Sequence, residues 1–123
     1  MGKINVLVVE DESIVSKDIQ NSLTKLGYCV VGAAPSGEKA IELAESLQPD
    51  VILMDIMLKG QMNGIEAADH IKNEFRIPVI FLTAYADSAT LSKAKITEPY
   101  GYIIKPFKEI DIHTSIEMAI YKH

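Results

Sequence analysis

The sequence predicts an α/β fold, a doubly wound parallel sheet of five strands with helices on both faces. Short runs rich in Val and Ile recur along it: INVLVV, YCVVGAA, DVILMD, IPVIFLT and YGYIIK. They show little in–out alternation, as expected of parallel strands covered on both faces. Segments of helical period separate them, and strictly alternating β and α elements specify a parallel sheet with right-handed crossovers.

The elements follow in order. INVLVV runs straight into Glu10, Asp11 and Glu12. In the first helical segment Val15, Ile19, Leu23 and Leu26 step by four, four and three, and Gly27 is a stop. After YCVVGAA, Ser36 can cap a second helix whose Ala40, Ala44 and Leu47 face one way until Pro49 ends it. DVILMD closes on Asp55. Asn63 and Glu66 have capping-box spacing, followed by Ile65, Ala68 and Ile71. IPVIFLT closes on Thr83, and the fourth helical segment, DSATLSKAKITEP, has few large apolar residues. YGYIIK closes on Lys105, and a fifth segment after Pro106 carries Ile112, Ile116, Ala119 and Ile120. With no linker, repeat or low-complexity stretch, residues 1–123 are expected to form one domain, either standing alone or cut from a longer protein.

Composition narrows the function classes. Hydrophobic residues make up 48% of the chain, near the globular average, which argues against global disorder. A net charge of −5 weakly opposes direct nucleic-acid binding by this domain. No apolar run approaches a membrane span and no secretory leader is visible. Gly2 lacks the Ser or Thr of a myristoylation motif, since Val6 stands there. The single Cys29 cannot make an internal disulfide and is expected to be a small buried residue. A cytoplasmic location is expected.

In such sheets ligands bind at the carboxyl ends of the strands. Glu10 and Asp11 end strand one, Asp55 strand three, Thr83 strand four and Lys105 strand five. Three carboxylates, a hydroxyl and an ammonium therefore meet on one edge. Clustered carboxylates repel one another unless something positive sits among them, and Lys105 supplies one charge. A divalent ion is the natural remedy, and all-oxygen ligands favour Mg²⁺ or Mn²⁺ over Zn²⁺. A carboxylate beside such an ion can be a phosphoryl nucleophile that forms an aspartyl phosphate, with Lys105 neutralising charge on the transferring group. Taken singly, each residue has a plainer explanation. Glu12 is expected in the first turn of a helix, favoured by its dipole. Thr83 alone suits a turn or cap. His70, His113 and His123 lie in helical segments without ligand spacing and are expected at the surface.

The stretches VLVVEDE, DVILMDIML, IPVIFLTAY and GYIIKPF resemble the receiver domain of two-component response regulators, of the chemotaxis-receiver type, over essentially the whole chain. The resemblance implies a flavodoxin-like (βα)5 fold with strand order 2-1-3-4-5. It implies Asp55 as phosphoacceptor, Asp11 as direct metal ligand, Glu10 as a ligand through water and the Met57 backbone carbonyl as third protein contact. Lys105 resembles the lysine that pairs with the phosphoryl group, and Thr83 and Tyr102 the pair that moves when it arrives. Ala84 is small where the phosphoryl group enters, and Met57 and Tyr85 flank the path of attacking water and so bear on phosphoryl lifetime. Lys105–Pro106 resembles the family's cis peptide, a geometry largely confined to X–Pro bonds. The implied function is a switch rather than an enzyme acting on other substrates. Its partner would be a histidine kinase or phosphotransfer domain. It would respond at a face formed by the fourth helical segment, strand five and the fifth helical segment, through which a homodimer could form. The sequence departs from the pattern in DIMLKGQMNG, where Leu58–Lys59 replaces Met-Pro and Gly64 falls nine rather than eight residues after Asp55. Gly60 is expected to supply the extra turn conformation.

Two other classes stay open at this stage. A receiver-like interaction module binds partners without phosphorylation; its usual sign is loss of the acceptor, acids or lysine, all present here. A flavodoxin needs a Gly/Ser/Thr-rich phosphate loop after strand one, where this chain has the acidic EDESIV. Within a longer chain, the domain could equally belong to a hybrid sensor histidine kinase.

Overall fold

The structure, a computed structural model, describes residues 3–58, 62–83, 101–104 and 106–122. Its elements are β1 (Asn5–Val9), α1 (Ser13–Lys25), β2 (Cys29–Ala34), α2 (Gly37–Leu47), β3 (Val51–Asp55), α3 (Gly64–Phe75), β4 (Val79–Thr83), β5 (Gly101–Ile104) and α4 (Glu109–Lys122). The strands form one parallel five-stranded sheet in the order β2-β1-β3-β4-β5, as the resemblance implies. Helix α4 is the fifth helical segment of the sequence; the fourth, within residues 84–100, lies outside the described residues.

The sheet is filled on both faces, which explains the missing alternation. Leu7, Val9, Ile52, Met54 and Phe81 pack under Ala40 and Ala44 of α2 and Ala67, Ala68 and Ile71 of α3. On the other face Val6, Val8, Leu53, Ile80 and Leu82 meet Ile19 and Leu23 of α1 and Ile112, Ile116 and Ala119 of α4. Every residue of β3 and β4 is buried. Burial on this scale, at about 25 cal/mol per Å² of apolar surface, is what holds a polar edge in place.

The helix ends follow local chemistry. Ser36 accepts from the Lys39 amide at 3.2 Å, and Asn63 and Glu66 close a reciprocal capping box at 2.9 and 3.2 Å. Gly27 follows α1 with φ +94°, whereas α2 and α3 end on left-handed Gln48 and Arg76. Between β1 and β2 the register slips by one, from Val6↔Val30 to Leu7↔Gly32, so β2 carries an extra residue.

Several expectations need correction. Glu12 occupies the N-cap of α1 without a side-chain cap bond, and the first turn carries no acid. Leu47 is 39% exposed because it ends α2, though its methyl lies close to Gly32. Ala67 is fully buried whereas Ile65 is only partly so. Cys29 is partly buried rather than buried, because β2 lies at the edge of the sheet. Among the described residues no helix is long and apolar enough to cross a membrane.

Candidate functional site

Glu10 directly follows β1, and its amide donates to the Ala34 carbonyl at 3.0 Å, tying the strand exit to the end of β2. Asp55 is the last residue of β3, the strand next to β1. The chain beyond it stays fastened, because the Ile56 amide donates to the Leu82 carbonyl of β4 at 3.1 Å. The Met57 amide turns back and donates to Asp55 Oδ1 at 2.8 Å, which fixes the rotation of that carboxylate. The Glu12 amide likewise donates to Glu10 Oε2 at 3.3 Å.

The structure thus brings together Glu10, Asp11 and Asp55, each offering a carboxylate oxygen within 4.8 Å of the others. Glu10 is 3% and Asp55 7% exposed. Crowding three carboxylates at this range is electrostatically costly, so a cation here would be strongly favoured. The donor set is all carboxylate, without His or Cys, which suits a hard divalent ion such as Mg²⁺ or Mn²⁺. The residues present therefore fit the metal that the sequence implies. An open cleft of about 260 Å³ adjoins them, bounded by Glu10, Asp11, Ser13, Lys17, Gln20 and Pro35.

Thr83 ends β4 and is 4% exposed, on the same edge as Asp55. In β5 the Tyr102 ring lies 6.1 Å from Phe81, and its hydroxyl is buried without a hydrogen-bond partner among the described residues. Burial pushes the Tyr102 phenol pKa up. The Met57 side chain is 68% exposed while its amide faces Asp55, and Pro106 is exposed. Lys105, Ala84, Tyr85, Gly60, His123 and the Lys105–Pro106 peptide lie outside the described residues.

Sequence reasoning missed one polar cluster. Tyr28, just before β2, donates to Glu117 Oε2 at 2.8 Å and meets His113 Nδ1 at 2.9 Å. His113 is therefore half-buried and engaged rather than a plain surface residue. Burial, then the Glu117 carboxylate, raises the Tyr28 pKa well above the usual phenol value. His113 and Glu117 are four apart on one helical face, a spacing visible in the sequence, but their partner is 85 residues away from His113.

A doubly wound sheet in this order, with acids at the exits of β1 and β3, defines a receiver-type switch domain. The chain belongs to the response regulator receiver domain family, whose family model matches residues 6–117. It is 35% identical over 115 residues to the transcriptional regulatory protein PdtaR of Mycobacterium tuberculosis, covering 94% of this chain and 56% of that protein. It is 32% identical over 117 residues to the phyllosphere-induced regulator PhyR of Methylorubrum extorquens, covering 94% of this chain and 43% of that one. The chain thus spans about half the length of the curated relatives it matches. Among solved structures, the signal receiver domain of a modulated diguanylate cyclase from Desulfovibrio desulfuricans G20 superposes with a TM-score of 0.93 at 40% identity, covering 98% of this chain and 96% of that one. Receiver domains of this family are two-component signalling switches that bind Mg²⁺ through acidic residues and interact with histidine kinases.

Proposed function

We propose that residues 1–123 form a single receiver domain that accepts a phosphoryl group on Asp55 from the phosphohistidine of a histidine kinase or phosphotransfer domain. The observation that supports this most is the gathering of Glu10, Asp11 and Asp55 within 4.8 Å at adjacent strand ends.

Asp55 is the nucleophile, oriented by the Met57 amide on Oδ1. As its oxygen bonds to phosphorus, the bond from phosphorus to the donor nitrogen breaks and the imidazole leaves with that electron pair. Asp11, Asp55, the Met57 carbonyl and, through water, Glu10 would hold Mg²⁺ or Mn²⁺. When bound, the ion supplies positive charge against the carboxylates and the phosphoryl oxygens. Lys105 neutralises a further share of that charge.

Thr83 then bonds the phosphoryl group and Tyr102 packs inward with it. Its buried hydroxyl, without a hydrogen-bond partner among the described residues, supports a residue with more than one settled position. The readout is the face built from the fourth helical segment, β5 and α4, through which a homodimer forms. The domain acts in the cytoplasm, binds neither nucleic acid nor membrane directly, and catalyses only its own phosphorylation and dephosphorylation.

Incubation with a small phosphodonor and Mg²⁺, followed by intact-mass measurement, tests the assignment. Wild type gains one phosphoryl group and Asp55→Asn gains none. Full labelling of the Asn variant overturns Asp55 as acceptor.

A further inference from the structure

Gly64 opens α3, and its amide donates to the Ile56 carbonyl at 3.0 Å. A Cβ on Gly64 would overlap the Asp55 carbonyl oxygen and lie 2.9 Å from Ile56 Cα and 3.1 Å from the Asp55 carbonyl carbon. All three are main-chain atoms and cannot rotate aside. Gly37 opens α2 in the same way, but a Cβ there would meet the Met62 carbonyl at 3.1 Å and the Met62 and Ala67 side chains at 3.2 Å. Those contacts are tight and remote from Asp55 in the chain. Only at Gly64, of these two helix starts, does the helix lie against the backbone of the acid cluster itself.

We propose that Gly64 is a positioning residue for the acid cluster, acting through the main chain of residues 55–57. The inference rests on the Mg²⁺-dependent reading above. Ile56 is held from two sides, by its amide on Leu82 and by its carbonyl on Gly64. Met57 follows directly, and its amide sets the rotation of the Asp55 carboxylate. A side chain at position 64 forces the segment away from the helix. The capping box of Asn63 and Glu66 opposes relief by unwinding the helix start. Glycine is needed here for close backbone approach, not for an unusual φ. The displacement reaches the Asp55 carboxylate and the Met57 carbonyl together.

The test compares Gly64→Ala with Gly37→Ala by amide NMR, first metal-free and then with Mg²⁺. In metal-free Gly64→Ala the Met57 amide shift moves and its exchange protection falls, and Mg²⁺ affinity drops roughly 10-fold or more. Gly37→Ala, also less stable than wild type, keeps the Met57 shift and the wild-type affinity. A folded Gly64→Ala with wild-type Met57 shift and Mg²⁺ affinity overturns the proposal. Should Gly64→Ala not fold, the wild-type titration decides: the Gly64 amide moves with the same midpoint as Met57, and a Gly64 signal that stays still while Met57 moves overturns it. Wild type that binds no Mg²⁺ refutes the function reading instead, and the metal-free Met57 comparison still judges Gly64.

Discussion

The two edges of the sheet treat polar groups in opposite ways. At the amino edge they close on one another. The Asn5 amide donates to Asp50 Oδ2 at 2.7 Å, the Asp50 amide returns to the Asn5 carbonyl at 2.8 Å, and Tyr28 joins Glu117 and His113. At the carboxyl edge the fold gathers Glu10, Asp11 and Asp55, all of one sign. Three carboxylates so close repel one another, so the crowding at the carboxyl edge is a cost that a bound cation would offset. Removing a polar group should therefore have opposite effects on stability at the two edges.

Asp11→Ala should break the contrast most strongly. Mg²⁺ affinity is expected to fall about 10- to 100-fold, roughly 1.4–2.8 kcal/mol, read by titration calorimetry. Without metal, the same variant should resist urea better than wild type by about 1 kcal/mol, because one of three crowded charges is gone. Equal Mg²⁺ affinities within error would remove Asp11 from the ligand set.

The carboxyl edge can be sharpened at its rim. The family resemblance implies that Met57 and Tyr85 flank the path of an attacking water, and neither side chain offers a carboxylate or amide to orient it. Met57→Asn together with Tyr85→Glu should speed phosphoryl loss about tenfold, equal to about 1.4 kcal/mol off the barrier. Phosphoryl decay followed by intact mass gives the rate, and an unchanged decay would mean these side chains do not set the lifetime.

At the amino edge, Tyr28→Phe should lower stability by about 1 kcal/mol, since it strips one hydroxyl from Glu117 and His113. The pH dependence has a definite sign. The folded-state pKa of Tyr28 is raised above its ordinary 10.0, so the folded protein holds that proton more tightly than the unfolded chain. Its contribution is fully present below the ordinary value and is lost as pH rises from there through the folded-state value. Wild-type stability should thus fall more steeply above that point than stability of the variant. Parallel urea profiles would show that the cluster is not responsible.

Much of this architecture was legible because it is local or periodic. The Asn63–Glu66 box lies within one turn, and the apolar runs announce strands whose carboxyl ends carry Glu10, Asp11 and Asp55. Strand order was not legible from periodicity and came from family resemblance. His113 was misread because its meaning depends on Tyr28, which only the fold brings near. Cys29 was misplaced because an apolar run does not reveal which strand lies at the edge. Gly64 was visible as a residue, but its closeness to Asp55 is a property of packing between a helix start and a strand end.

The register slip between β1 and β2 bears on how the protein behaves when crowded. The outermost strands are β2 and β5, and an exposed strand edge is a template on which other chains can add. The extra residue in β2 breaks its even spacing of backbone donors and acceptors and increases its local twist. β5 runs only from Gly101 to Ile104, which is short for such a template. Deleting Val31 to restore an even register would give β2 a smoother outer edge, at which edge-to-edge aggregation in concentrated solution would start.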